Sequence, residues 1–343
     1  MTSFSLIAVF LSLFLGAVYS LPSSSFLTRS TDSHSGGADG YFAVTFKTTE
    51  EKIFGHVAKV GEETTFTAVN QGKPLLVASK GTRGVRDPFV VASPTHDRFW
   101  IIGTDLNASA INQNFTEARH YGSTSLHIWE STDLVNWSGD NLVQVMPDSL
   151  QAGMVWAPSA VYDHSIDQFS VFWASKTFPA DDPGHLTNGS LDQIWYAHTK
   201  DFRNFTMPRV WASSDVGLID QEILTTSDKN TFYRFLKDEN VTEVYAEKTT
   251  TGLFGEWHRL GKTVVQGRRE GPASYRDIRN PSRTYLWVDN YNATIPGYEA
   301  YYSDDIDSNV WTPTSPSLTP ATMRHGAIIP VTKRQMHRLM KWR

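Results

Sequence analysis

Short runs of apolar and aromatic residues recur along the chain, and polar turn-forming residues separate them. The runs are rich in Val, Ile, Phe, Trp and Tyr, whereas Gly, Asp, Asn and Pro fill the gaps between them. Representative runs are DPFVVAS, RFWIIGTD, SLHIWES, QFSVFWAS, TYLWVDN and HGAIIPVT. Few stretches show the spacing of an amphipathic helix. The pattern predicts an all-β protein.

One sequence unit repeats in order: a strand is followed by Ser or Thr, then Asp, then an aromatic residue. The unit ends at Trp137, Phe205 and Trp311, and a looser copy ends at Trp257. These aromatic residues follow one another at intervals of roughly 50 to 70 residues, which is typical of a β-propeller with four-stranded blades. A β-sandwich with chance spacing is the alternative fold.

A second set of markers has the same period and places polar residues at the starts of strands. The markers are Asp87-Pro88, Trp156-Ala157-Pro158, Asp220-Gln221, Glu270-Gly271-Pro272 and His325-Gly326. The chain after the fifth marker is too short for a blade, whereas residues 41–79 contain spare strands and no marker. We therefore predict a five-bladed β-propeller whose N- and C-terminal segments share one blade, which leaves no open sheet edge.

Three of the markers carry carboxylates that a propeller would bring together. The first strand of each blade lines the central axis, so Asp87, Asp220 and Glu270 should face one another across a pocket. Converging carboxylates repel one another, and at least one of them should have a raised pKa. A protonated carboxyl beside an ionised carboxylate is what glycoside hydrolysis needs.

The five motifs resemble those of glycoside hydrolase family 43 and its relatives with five-bladed propellers. The resemblance covers residues 41–339 and rests on RDPFVV, VWAPSAVYD, LIDQEIL, EGPASYR and MRHGAIIPV, in the family's order and at blade spacing. It implies a glycosidase that acts on cell-wall polysaccharides of plants or fungi. The favoured linkage is α-L-arabinofuranosyl, as in arabinofuranosidases and arabinanases. Linkages of β-galactofuranose and β-xylose remain alternatives, and exo and endo action are not distinguished.

The resemblance also implies a role for each carboxylate. Asp87 corresponds to the general base that activates water, and Glu270 to the general acid that protonates the leaving oxygen. Asp220 corresponds to the residue that orients the acid and modulates its pKa. The family inverts the anomeric configuration, so base and acid should stand about 6.5 to 9.5 Å apart.

Three further residues match positions of interest in the family. Arg324 resembles an arginine that contacts substrate, and Trp156 would either form a sugar platform or pack in the core. His325 resembles a histidine near the axis that in many members helps to hold a metal ion, often calcium through water. A purely structural histidine is the alternative, and no other cofactor is expected.

Two departures and one pair of charges qualify the match. Ser159 stands where members often have an acidic residue, and Gln221 stands where many have proline. Arg268 and Arg269 precede the acid, and a cation pointing at it would oppose its role as a proton donor. We expect both arginines to point outward or to bind substrate.

Two rival functions remain. The invertase-like group shares the fold and an Arg-Asp-Pro motif, but its acid lies in a Glu-Cys pair, and this chain has no cysteine. A non-catalytic propeller that binds glycans or a host protein would not need the three carboxylates. Loss of activity in Glu270→Gln separates the enzyme from the binding protein.

Composition limits the partners and the compartment. The 343 residues have a net charge of −5 and no long run of either sign, so we expect no nucleic-acid partner, no membrane partner and a monomer. The absence of cysteine excludes disulfides, thiol catalysis and cysteine-based zinc sites. Residues 1–20 are expected to be a signal peptide, 21–40 a flexible leader rich in Ser and Gly, and 41–343 a single catalytic domain.

Seven sequons of the form Asn-x-Ser/Thr agree with export. Together they predict a secreted, extracellular glycoprotein. Their asparagines are Asn107, Asn114, Asn136, Asn188, Asn204, Asn240 and Asn292.

Overall fold

The computed structural model describes residues 37–294, 296–314 and 323–342, which form five four-stranded antiparallel sheets. The strands are β1 (Ala38–Lys47), β2 (Glu50–Lys59), β3 (Thr67–Ala68), β4 (Val85–Ala92), β5 (Phe99–Asp105), β6 (Ser125–Ser131), β7 (Asn141–Gln144), β8 (Trp156–Asp163), β9 (Gln168–Ser175), β10 (Gln193–Thr199), β11 (Arg209–Ala212), β12 (Leu218–Thr225), β13 (Phe232–Asp238), β14 (Glu243–Thr249), β15 (His258–Arg259), β16 (Glu270–Arg276), β17 (Thr284–Asn290), β18 (Gly297–Ser303), β19 (Thr312–Pro313) and β20 (Arg324–Thr332). The α-helices are α1 (Phe115–Tyr121) and α2 (Lys333–Lys341), and short 3-10 turns cover Asn70–Gly72, Asp148–Leu150 and Ile306–Ser308.

Each sheet is one blade of a five-bladed propeller, as the sequence predicts. Blades I to IV contain β4–β7, β8–β11, β12–β15 and β16–β19 in chain order. Blade V combines C-terminal β20 with N-terminal β1, β2 and β3, so the two ends of the chain share a blade. The inner strands β4, β8, β12, β16 and β20 each contact the inner strands of two neighbouring blades, which closes the ring.

Apolar side chains fill the five interfaces between neighbouring blades. One cluster lies at each interface, and large aromatic side chains such as Trp129, Trp173 and Trp287 are fully buried in these clusters. Because both faces of a blade are covered, the sequences of its strands are nearly continuous apolar runs instead of alternating apolar and polar residues. The described chain has no cysteine to brace it, so this packing holds the blades together.

The repeated Ser/Thr-Asp-aromatic unit forms a blade turn. In blade I the Ser131 hydroxyl accepts hydrogen bonds from the backbone N–H groups of Asp133 and Leu134. In blade II Thr199 accepts from Asp201 and Phe202 in the same way. These side chains replace the backbone partners that a tight turn leaves unsatisfied.

Every inner strand has a β-bulge near its start. The bulge interrupts the pairing with the next strand of the blade at the equivalent position in all five blades. The bulged residue has a positive φ in all five blades, a conformation that residues other than glycine rarely adopt. Bulges re-aim side chains and concentrate beside active sites. The five bulged residues are Asp87 (48°), Ala157 (48°), Asp220 (55°), Gly271 (53°) and His325 (28°).

The ends of the described chain differ from the sequence-based expectation. Strand β1 begins at Ala38, inside the predicted leader, whereas the predicted signal peptide and the rest of the leader lie outside the described residues. Helix α2 is not predicted by the strand pattern. Thr332 and Gln335 cap it reciprocally, and Met336 and Leu339 bury its apolar face. In the described part of the chain, no helix has the length and apolar character needed to cross a bilayer.

Candidate active site

The axis of the propeller holds an imidazole between two carboxylates. His325 Nδ1 lies 3.0 Å from Asp87 Oδ1, and its Nε2 lies 3.9 Å from Asp220 Oδ1. The second oxygen of Asp87 accepts the Thr104 hydroxyl at 2.9 Å. The three axial residues occupy equivalent bulge positions on β4, β12 and β20, which explains why residues so distant in sequence meet here.

The charges of this trio are coupled. Burial lowers the pKa of His325, but the negative charges of Asp220 and Asp87 outweigh it and raise the pKa to about 9. Burial opposes ionisation of Asp87, but the charge and hydrogen bond of His325 lower its pKa to about 2. Burial raises the pKa of Asp220 to about 6, against the opposing charge of His325. Asp87 is therefore ionised at neutral pH, whereas Asp220 holds a proton in mildly acidic solution.

The axial cavity is too small for a hydrated metal ion, and its two aspartates already face the cationic ring of His325. It leaves about 10 Å³ for the centre of a water molecule, which is room for one water. Both nitrogens of His325 face carboxylates, and a protonated imidazole has no lone pair for a metal. Among the described residues no group of three His, Asp or Glu side chains is arranged to hold a metal. The residues present therefore do not fit the calcium that the family resemblance implies.

Glu270 lies beside this trio but in a different environment. Asp87 and Asp220 are themselves the bulged residues of their strands, whereas Glu270 directly precedes the bulged Gly271 of β16. Its Oε1 accepts from Arg324 at 2.9 Å, and its Oε2 accepts from Lys237 at 2.9 Å. The three carboxylates thus divide into an axial pair held by an imidazole and a single acid held by two cations.

Gly271 joins the two parts of the site. Its backbone N–H donates to Asp220 Oδ2 at 3.1 Å, which ties Asp220 to the chain beside Glu270. A Cβ at this position would lie 2.7 Å from the His325 ring. Glycine is required here for the close approach of the imidazole, whereas residues with side chains adopt the positive φ of the bulge in the other four blades.

Arg324 is a rigid part of the site. It is buried at the start of β20, and its Nε donates to Asp289 Oδ2 at 2.7 Å while its other arm reaches Glu270. Asp289 is fully buried and pairs across the sheet with Glu270. The arginine thereby fixes the position of the Glu270 carboxylate.

Trp156, Arg268 and Arg269, which the sequence analysis also named, do not contact the three carboxylates in the way a catalytic role would need. Trp156 is buried, and the Arg119 guanidinium lies 5.2 Å from its ring centre, which favours the core-packing alternative over an open sugar platform. Arg268 is exposed, and Arg269 bonds Glu299 at 2.8 Å instead of Glu270. The arginines that precede the acid therefore do not neutralise it.

The two departures from the family motifs contact each other. The Ser159 hydroxyl donates to Gln221 Oε1 at 2.7 Å, from blade II to blade III. Both side chains are buried next to the axial cavity. The pair links the two blades and leaves the three carboxylates in place.

Sequence reasoning missed Lys237 and Glu222, two buried charged residues of blade III. Lys237 contacts Glu270 directly, whereas Glu222 lines the axial cavity and accepts from the backbone and hydroxyl of Ser274 at 3.1 and 2.6 Å. The available signal was a Lys or Glu inside an otherwise apolar strand, FYRFLKD or LIDQEILT. Charged residues are seldom buried unless they are paired or functional.

Glu222 makes the stability of the fold depend on pH. Burial raises the pKa of Glu222 to about 7 from an ordinary value of 4.5. The folded chain then keeps a proton that the unfolded chain releases, so this contribution to the free energy of unfolding is present below pH 4.5. It is lost as the pH rises to about 7, a change on the order of 3 kcal/mol.

We expect Glu222→Gln to flatten this pH dependence. The melting temperature of the wild type should fall by several degrees more than that of the variant between pH 5 and pH 8, measured by differential scanning calorimetry. Glu256→Gln, at an exposed position, is the matched control and should follow the wild type. Equal changes of melting temperature with pH in the wild type and Glu222→Gln would contradict a raised pKa of Glu222.

Acids in contrasting environments at the axis of a five-bladed propeller define the class of the protein as a propeller glycosidase. A family model described as "Probable glycosyl hydrolase domain", of the family 43-related group, matches residues 34–337, so the chain belongs to this family of glycosyl hydrolases. The resemblance to family 43 noted in the sequence is thereby confirmed.

Two known proteins illustrate the relationship. An α-L-arabinofuranosidase of Bifidobacterium longum is 32% identical over 241 residues, which cover 67% of this chain and 21% of that protein. The chain thus spans about a fifth of the length of this relative. The catalytic domain of a Coprinopsis cinerea family 62 α-L-arabinofuranosidase superposes with a TM-score of 0.51 at 15% identity, over 74% of this chain and 75% of that chain. The latter similarity concerns the fold.

Proposed function

We propose that the chain hydrolyses α-L-arabinofuranosyl linkages of cell-wall polysaccharide with inversion of the anomeric carbon. The observation that carries this proposal is the meeting of Asp87, Asp220 and Glu270 around His325 and Gly271. The sugar is proposed from the 32% identical relative, whose name is α-L-arabinofuranosidase.

The environments of the carboxylates support distinct roles. Asp87 is ionised at every pH above its low pKa, so it can accept a proton from water as the general base. Glu270 would donate a proton to the leaving oxygen as the general acid. Asp220, which bonds the backbone beside Glu270 and titrates near pH 6, would orient the acid and keep its surroundings negative.

The proposed reaction is a single displacement. Water attacks the anomeric carbon as the glycosidic C–O bond breaks, Asp87 takes a proton from the water, and Glu270 gives a proton to the departing oxygen. The next proton exchange with solvent restores both carboxyl groups. Arg324 and Lys237 hold Glu270 in place before substrate arrives. No step requires a metal ion.

A panel of substrates tests the proposed linkage. The 4-nitrophenyl glycosides of α-L-arabinofuranose, β-D-galactofuranose and β-D-xylose, together with linear arabinan, separate the three candidate sugars. We expect the arabinofuranoside to have the highest kcat/KM. Preference for another sugar would replace the substrate but keep the mechanism, whereas no hydrolysis of any of them would favour a glycan-binding propeller.

We further propose that the protein is secreted and glycosylated. Residues 1–20 read as a signal peptide, and of the seven sequon asparagines six are exposed and Asn107 is half-buried. Asn136 and Asn204 occupy the same place in the repeated blade turn, where each side chain also donates to an aspartate. Recovery of glycosylated protein from the culture medium of a eukaryotic host, seen as a mass loss on deglycosylation, is the expected result. Unmodified protein retained in the cells would contradict it.

A further inference from the structure

Lys237 contacts the proposed acid, although neither the family motifs nor the sequence pattern singles it out. It lies on β13 and is only 5% exposed. Its ammonium group lies 2.9 Å from Glu270 Oε2, 2.8 Å from Glu239 Oε1 and 4.9 Å from the ring centre of Tyr291. A buried ammonium group needs such partners, because an unpaired charge in the interior is costly.

Two carboxylates therefore share one ammonium group. Glu239 belongs to the turn that follows β13, and Arg119 of α1 holds its other oxygen at 2.6 Å. Arg119 also pairs with the buried Asp192. An ionic chain thus runs from the α1 insertion of blade I through Glu239 and Lys237 to Glu270.

The charges around Glu270 are otherwise balanced. Arg324 is shared with Asp289 on β17, and the His325 imidazole is shared by Asp220 and Asp87. The neighbouring Arg269 is committed to Glu299 on β18. The charged groups facing Glu270 from the elements packed against it are Lys237 and Glu239 from blade III, Asp220 from β12, Asp289 from β17, Asp87 from β4, and Arg324 and His325 from β20.

We propose that Lys237 and Glu239 are positioning residues that set the alkaline limit of hydrolysis by controlling how readily Glu270 takes up its proton. The ammonium group of Lys237 attracts the Glu270 carboxylate, and Glu239 competes for the same ammonium group. The balance between the two contacts determines the pH above which the acid is lost. This inference rests on the proposed role of Glu270.

The pH dependence of kcat/KM tests the inference in two directions. Its alkaline limb reports the proton on the acid of the free enzyme. Lys237→Met should move this limb upward by about one pH unit or more, because an opposite charge at hydrogen-bond distance favours the ionised carboxyl. Glu239→Gln should move it downward, since Lys237 then keeps Glu270 as its carboxylate partner. Lys237→Arg should restore most of the wild-type profile.

The controls distinguish a charge effect from a general disturbance. Lys248→Met removes a lysine of the same blade that pairs with Asp307, and its profile should coincide with that of the wild type. Melting temperatures are recorded for every variant. If Lys237→Met does not fold, the downward shift of Glu239→Gln decides.

Three results have separate meanings. Unchanged limbs in an active Lys237→Met or Glu239→Gln enzyme would overturn the inference. A shift of equal size in Lys248→Met would also overturn it. Absence of hydrolysis by the wild type, or full activity in Glu270→Gln, would instead refute the proposed function.

Discussion

Glu270→Gln should lower kcat by about 10² to 10⁴-fold on arabinan oligosaccharides, because the alkoxide leaving group needs a proton in the transition state. An amide keeps the shape of the side chain and can still contact Arg324, but it cannot donate that proton. The loss should be much smaller on a 2,4-dinitrophenyl arabinofuranoside, whose leaving group departs without protonation. Steady-state kinetics on the two substrates give the comparison.

This contrast between leaving groups separates an acid from a structural carboxylate. Glu256→Gln, at an exposed position, should behave as wild type on both substrates. Equal losses on the two substrates would mean that Glu270 supports the fold of the site instead of donating a proton.

Asp87→Asn should lower kcat by a comparable factor on both substrates, since activation of the attacking water is needed whichever group leaves. The change also removes the negative charge on His325 Nδ1, so the imidazole should lose its proton more easily. An NMR titration of the His325 ring would show a lower pKa in the variant than in the wild type.

A matched control for Asp87→Asn lies in the same blade. Asp97→Asn changes an exposed aspartate in a turn and should leave kcat and the His325 titration unaltered. Retention of a large part of the wild-type kcat in Asp87→Asn would exclude this residue as the base.

The architecture could be predicted from sequence because a propeller repeats its signals. Strand-like runs, the Ser/Thr-Asp turn and the polar markers each recur, so errors in one blade are corrected by the others. The shared blade followed from counting: the last marker had too little chain behind it, and the first strands had no marker. Helix α2 was not predicted because it occurs once and is not part of the repeated pattern. Its capping pair, Thr332 and Gln335, is nevertheless recognisable in the sequence.

The three carboxylates of the site could also be predicted from the sequence, whereas their arrangement within the site could not. Asp87, Asp220 and Glu270 all lie near the starts of inner strands, but Asp87 and Asp220 are bulged residues, whereas Glu270 lies one position before a bulged residue. Register of this kind depends on pairing with a neighbouring strand, which no local sequence pattern states. Burial raises the pKa of Asp220, as the sequence predicts for at least one of the three carboxylates.

Long-range ion pairs were the least predictable feature. Lys237 lies 33 positions from Glu270, and nothing in FYRFLKD identifies its partner. The sequence singled out His325, but not its position between the carboxylates of Asp87 and Asp220. Both Lys237 and His325 are buried beside carboxylates, because a charged group in the interior is stable only next to a partner of opposite charge.

The configuration of the sugar first released by the wild-type enzyme tests the central claim most directly. Proton NMR spectra recorded during the first minutes of hydrolysis of an α-L-arabinofuranoside show the anomer before mutarotation. Water delivered by Asp87 opposite the Glu270 side should yield β-L-arabinofuranose first. Initial release of the α anomer would show retention, and a site built from a separate base and acid around His325 would then be the wrong account.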